Sequence, residues 1–126
     1  MISHIHATTI VVSDQDKAID FYVNVLGWKK TEDSPMGPAM RWVTVAPQGA
    51  ATNIALSLPS WYTRKPSLEM GINTGIAFAT TDMKATYEEL VKRGVKFKGA
   101  PELMPWGKLG AWFLDPDGNE FFVAES

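Results

Sequence analysis

The stretch with the most chemical character is Asp115-Pro116-Asp117-Gly118-Asn119, where oxygen-bearing side chains fall at alternate positions. Such spacing occurs in EF-hand calcium loops, which need glycine at the sixth place and a bidentate glutamate at the twelfth. Counted from Asp115, glycine stands fourth and Ser126 stands twelfth. Pro116 pre-sets one turn residue, Gly118 accepts positive φ, and Asp115 or Asn119 can bond the local backbone. The stretch reads as a hairpin turn.

His4 and His6 are the other obvious donors, since H-x-H alternates both rings onto one strand face. Their parity is that of Ile10 and Val12, the apolar side, and a one-residue slip would turn those two residues outward. They read as ordinary strand-end histidines, and Glu120 and Glu125 as solvated edge residues. With no cysteine there is no disulfide frame, thiolate nucleophile or zinc-thiolate site. There is no serine elbow and no phosphate-cradling glycine loop. Tyr22 and Tyr87 belong to helix stripes and Tyr62 to a connecting segment, so no catalytic residue is assigned.

The elements that must position any site follow from periodicity. Residues 5–12 (IHATTIVV) are β-branched and apolar, a buried strand. Ser13 and Asp14 offer a helix cap. Ala18, Phe21, Tyr22, Val25 and Leu26 then form one apolar stripe, and Gly27 stops the helix. Strands follow at about 28–33, 39–46 and 52–58, broken by prolines and glycines.

The second half repeats this plan. Residues 72–80 are a strand, and Thr81-Asp82 caps a helix with stripe Met83, Tyr87, Leu90 and Val91, which ends at Gly94. Glu88 with Lys92 and Glu89 with Arg93 face solvent at i, i+4. Strands follow at about 95–98, 109–114 and 119–125, and Ala46-Pro47-Gln48-Gly49 recurs as Asp115-Pro116-Asp117-Gly118. The chain is therefore a single α+β domain of two βαβββ modules, about 1–58 and 71–126, with linker 59–70 between them. One such half leaves a sheet face uncovered, so two must come together.

The paired βαβββ units, the stretch VVSDQDKAIDFYVNVLGW and the terminal PWGKLGAWFLDPDGNEFFV resemble the vicinal oxygen chelate superfamily. That superfamily includes glyoxalase I, extradiol dioxygenases, fosfomycin-resistance enzymes and bleomycin-resistance proteins. The resemblance covers essentially the whole chain. It implies an eight-stranded, incompletely closed mixed sheet whose concave face forms a cup, with helices on the convex side.

Metal-dependent members of the superfamily place a histidine on the first strand of each unit and a carboxylate on the last. Carried onto this chain, the histidine places fall on Ala7 and Gly75, seven residues before Asp14 and Asp82. The terminal carboxylate place falls on Phe122. The remaining ligand belongs on strand 52–58, whose cup face is Asn53, Ala55 and Ser57 if Ile54, Leu56 and Leu58 pack on the helix. Divalent zinc, nickel, manganese or iron needs imidazole, carboxylate or thiolate donors converging at about 2.0–2.3 Å. Alanine, glycine and phenylalanine supply none, so we expect no metal site and no cofactor.

The same parity lines the cup with Ala7, Thr9, Val11, Gly75, Ala77 and Ala79, small residues that leave room. Around them come Phe122 and a subset of Trp42, Trp106, Trp112 and Phe113. Thr9, Trp42, Asn53, Ser57, Trp106, Trp112 and Phe122 are the expected ligand-binding residues, suited to an apolar or planar organic molecule. Trp61, Tyr62, Arg64 and Lys65 in the linker form either a lid or a subunit contact.

The leading expectation is a metal-independent binding protein resembling the bleomycin-resistance type, capturing an aromatic metabolite or antibiotic. The alternative is a metal-independent isomerase, lyase or cyclase, so whether the protein is an enzyme stays open. A metal-dependent lyase or dioxygenase stands last. The resemblance also implies a homodimer.

Composition bounds the partners. At 126 residues, 45% hydrophobic and with a formal charge of −2, the chain is an ordinary globular domain. It has no basic footprint for nucleic acid or anionic membrane. No signal peptide and no apolar run near the ~20 residues of a membrane helix are evident, and a cytoplasmic setting fits.

Overall fold

The computed structural model describes residues 1–38, 40–61 and 69–126. They form two compact units, Met1–Met70 and Gly71–Ser126. Residue 39, at the start of one expected strand, and Tyr62, Arg64 and Lys65 of the linker, expected to be either a lid or a subunit contact, lie outside the described residues.

In the first unit, β1 (Ala7–Val11) leads to helix α1 (Gln15–Ile19), which runs on as a wider turn over Asp20–Val25. Asp14 caps it, its Oδ1 accepting the Lys17 N–H at 3.0 Å, and so satisfies one of the orphan donors of a helix start. The wider winding is i→i+5: the Leu26 N–H reaches the Phe21 carbonyl at 2.9 Å. Phe21 and Tyr22, neighbours in sequence, are both buried, with rings edge to face at 5.1 Å.

Strands β2 (Lys29–Pro35), β3 (Arg41–Ala46) and β4 (Asn53–Ser57) complete a four-stranded sheet in the order β1-β4-β3-β2. β1 and β4 run parallel and the other pairs antiparallel. Edge strand β2 is exposed throughout and carries Lys29, Lys30, Glu32 and Asp33, charges that discourage edge-to-edge pairing with another chain.

The second unit contains β5 (Asn73–Thr80), α2 (Met83–Lys92), β6 (Lys96–Phe97), β7 (Glu102–Leu103), β8 (Leu109–Leu114) and β9 (Glu120–Glu125). Its order is β5-β9-β8-β6, again with the opening strand parallel to the closing one. Asp82 caps α2 as Asp14 caps α1, accepting the Ala85 N–H at 3.0 Å. Glu125, expected to be solvated, accepts the Met83 N–H at 3.0 Å.

The architecture is α+β, with sheets of four and five strands and no closed barrel among the described residues. Two details differ from expectation. Nine strands occur among the described residues, because Glu102–Leu103 pairs with β8; two residues set close to Pro101 and Pro105 are too short to register as a strand in sequence. Val91, assigned to the α2 stripe, is 45% exposed. The less exposed line of α2 runs through Met83, Thr86, Tyr87 and Leu90, and Val91 lies one residue around the helix from it.

The core of the second unit is aromatic. Phe113 and Phe121 stack at 5.3 Å, Phe78 lies 5.4 Å from Phe121, and Tyr87 meets Phe97 at 4.9 Å. Phe113, 2% exposed, thus belongs to the core, which corrects its inclusion among possible cup aromatics. Period-two alternation then puts Trp112 and Phe122 on the other face.

Candidate functional site

The second unit gathers three of the expected site residues. β8 and β9 pair antiparallel with Trp112 opposite Phe122, and their rings lie 4.6 Å apart between centroids. Trp106, in the turn between β7 and β8, meets the Phe122 ring edge to face at 6.1 Å and is 60% exposed. Across β9, Ala77 and Ala79 of β5 stand opposite Phe122 and Ala124. Both alanines are exposed. The result is an open shelf with a bare floor of small residues, flanked by three aromatic rings.

The polar margin of the shelf is fixed. Glu120, two residues before Phe122 and on its face, accepts from Lys98 Nζ at 3.2 Å and Asn73 Nδ2 at 3.4 Å. A small hollow of about 170 Å³ lies beside Trp112, lined also by Lys98, Gly99 and Glu102. Lys98 and Glu120 were not among the expected ligand contacts. Their signal in the sequence is weak, because pairing across β6, β8 and β9 is what brings them beside the rings.

Ala7, Gly75 and Phe122 occupy the histidine and carboxylate places that the superfamily resemblance implies. Ala7 opens β1 and is half-buried. Gly75 sits in an irregular stretch where β5 slips register against β9 between Asn73 and Ala77, with φ of +71°. The Asn73 carboxamide oxygen accepts the Gly75 N–H at 2.9 Å, and Thr74 Oγ1 accepts the Ile76 N–H at 3.1 Å. The backbone here has adopted a left-handed residue that a side-chain-bearing amino acid occupies only with strain. Phe122 fills the third place with a ring packed on Trp112. Among the described residues no three His, Asp or Glu side chains converge to hold a metal. The residues at these places do not fit a divalent ion.

The other expected site residues belong to the first unit. Thr9 is half-buried and pairs with Ala55. Trp42 is half-buried on β3 opposite Ser34. Asn53 is bonded on both sides: its Oδ1 accepts from Thr31 Oγ1 at 2.8 Å and its Nδ2 donates to the His6 carbonyl at 3.3 Å. Thr31 also shares a 2.6 Å hydroxyl contact with Thr44. Ser57 is 3% exposed. His4 and His6 precede β1 and are exposed, and the His4 ring pairs with Ser3 at 2.8 Å.

Charge in the first unit concentrates elsewhere. Arg41 grips Asp33 through Nε at 2.7 Å and Nη2 at 2.9 Å, and reaches Asp16 at 2.9 Å. Lys30 adds a 2.9 Å contact to Asp33. Hydrogen bonds from Arg41 and then Lys30 hold the Asp33 carboxyl well below the usual carboxylate range. Asp33 and then Asp16 hold the guanidinium above its own. A hollow of about 440 Å³ adjoins this network, lined also by Gln15, Pro35 and Met40. Gln15 donates to the Arg41 and Leu56 carbonyls at 2.9 and 2.8 Å, tying α1 to β3 and β4.

Comparison with known proteins identifies the class to which this fold belongs. The family model of the Glyoxalase/Bleomycin resistance protein/Dioxygenase superfamily matches residues 4–123. The chain belongs to that superfamily. A crystal structure of a superfamily member from Sphaerobacter thermophilus DSM 20745 is 53% identical, with a TM-score of 0.91 over 99% of this chain and 98% of that one. TnmS3, an antibiotic binding protein from Streptomyces sp. CB03234, is 38% identical, with a TM-score of 0.82 over 98% and 96% of the two chains. The YetH protein of Bacillus subtilis (strain 168) is 37% identical, over 99% of this chain and 100% of that one.

Proposed function

We propose that this protein captures a planar, largely apolar organic molecule on the shelf formed by Trp106, Trp112 and Phe122, without a metal. The observation that carries the reading is the exposed Ala77–Ala79 floor beside three rings. Flat molecules gain most from such a surface. Stacking adds about 0.5–1.5 kcal/mol per ring pair, beyond roughly 25 cal/mol for each Å² of apolar area covered. Lys98, paired to Glu120, stands beside Trp112 to meet a polar or acidic edge of the ligand. The antibiotic-binding activity of TnmS3 supports a capture role on this scaffold.

Metal independence is part of the proposal and rests on donor chemistry. Alanine at 7, phenylalanine at 122 and a left-handed glycine at 75 offer no side-chain donor to an ion. Homodimerisation and a cytoplasmic location belong to the same reading. Among the described residues no helix is long and apolar enough to cross a membrane.

The test is a fluorescence titration of chelator-treated protein with anthracene carboxylate, a flat acid, beside decanoate, a flexible one. Saturable tryptophan quenching by the first, weakened at least tenfold by Trp112→Leu, supports the reading. Equal response to both acids, or none without added divalent metal, overturns it. Conversion of a bound compound to a product would favour a metal-independent isomerase, lyase or cyclase instead.

A further inference from the structure

Eight of the described glycines have positive φ, and Gly110 is not one of them. Its backbone is one that any residue adopts, so its lack of a side chain needs another cause. A Cβ at Gly110 would stand 2.5 Å from Phe122 Cζ, 2.8 Å from its Cε1 and 3.1 Å from Met104 Cγ. Gly110 pairs directly with Ala124, and Phe122 is its diagonal neighbour. The Phe122 ring therefore leans sideways across β8 and rests in the space that the missing side chain leaves.

We propose that Gly110 is a specificity-determining residue: it is the berth that keeps the Phe122 ring down and the Ala77–Ala79 floor open. The atoms in conflict with a Cβ are the far end of a ring that pivots about its own side-chain bonds, so the ring yields before the backbone does. On the β8 side it is hemmed by Trp112 and Trp106. The free direction is across β5, over Ala77 and Ala79. A methyl group at position 110 thus puts the ring where a flat ligand would lie. A glycine inside an otherwise apolar strand is a recognised mark of close approach, and here what approaches is the ligand-facing ring. The ligand part of this inference rests on the proposed capture function; the ring position does not.

The test is a cycle of wild type, Gly110→Ala, Phe122→Leu and the double variant. Near-UV circular dichroism reads the ring environment, and anthracene carboxylate titration reads the shelf. Gly110→Ala is expected to alter the near-UV spectrum and weaken the probe at least tenfold. In the Phe122→Leu background, which lacks the ring's far end, the same change should alter affinity less than twofold. If Gly110→Ala alone fails to fold while the double variant folds, the berth is likewise supported. An unchanged spectrum in Gly110→Ala, an equal loss in both backgrounds, or failure of both variants to fold overturns it. If wild type binds no planar probe, the capture reading falls, and the spectral coupling of the two positions still decides whether Gly110 sets the ring.

Discussion

Asp115 and Asn119 close the last hairpin from inside. Asp115 Oδ1 accepts the backbone N–H groups of Asp117 and Asn119 at 3.0 and 2.8 Å, and its Oδ2 accepts from Asn119 Nδ2 at 2.9 Å. Asn119 Oδ1 in turn accepts the Gly71 N–H at 2.8 Å. The side-chain oxygens of Asp115 and Asn119 are directed to the chain itself. Asn119, 1% exposed, would leave buried donors and acceptors unpaired if truncated, so Asn119→Ala should cost about 1–3 kcal/mol in urea unfolding. Millimolar calcium should leave the wild-type melting temperature unchanged; a rise would show that the turn does hold a cation.

Gly75 has open space on its side-chain side, where a Cβ would meet nothing within 4 Å, yet its φ is +71°. Gly75→Ala should therefore destabilise by roughly 1–2 kcal/mol through backbone strain alone. Urea unfolding of the variant checks this. A neutral substitution would show that β5 relaxes its irregular register, and would reopen position 75 to a histidine.

The Asp33–Arg41 pair sets an acid-limb dependence. The folded carboxyl titrates below its unfolded value of about 3.9, so its contribution is full at neutral pH and is lost as pH falls through the acid range. Asp33 is only partly covered, with 23% side-chain exposure, which limits the contribution to about 1 kcal/mol or less. Asp33→Asn should be the less stable protein at pH 7, and its deficit should begin to shrink as pH falls below the unfolded carboxylate value of about 3.9. A constant difference across that range would mean that charge plays no part.

Phe121 and Phe122 are adjacent and face opposite ways. Phe121 is fully buried against Phe113 and Phe78, so Phe121→Ala should cost about 3–5 kcal/mol. Phe122→Ala should cost less than about 2 kcal/mol, since the ring is only half-buried, while weakening the flat probe several-fold without abolishing its binding to the remaining Trp106 and Trp112 rings. Calorimetry with parallel titrations checks both. Equal costs would place the two rings in one core.

Much of this was legible in the chain. The Asp14 and Asp82 caps, the glycine stops and the repeated turn marked out two matching units, and the superfamily resemblance placed Phe122 in the cup with Trp112 among the aromatics that could surround it. What escaped depends on pairing between strands. Phe113 was ambiguous until β8 was registered against β9. The Lys98–Glu120 pair and the Gly110 berth exist only once three strands lie side by side. Gly75 looked like a simple absence of histidine, because no local pattern announces that the register slips there.

On the proposed function, the shelf holds a flat molecule, chemically unaltered, without a divalent ion. Native mass spectrometry of chelator-treated protein mixed with anthracene carboxylate measures this directly. The predicted result is one intact probe per chain, no metal mass, and loss of the adduct in Trp112→Leu. An adduct that forms only when zinc, nickel, manganese or iron is restored would contradict it.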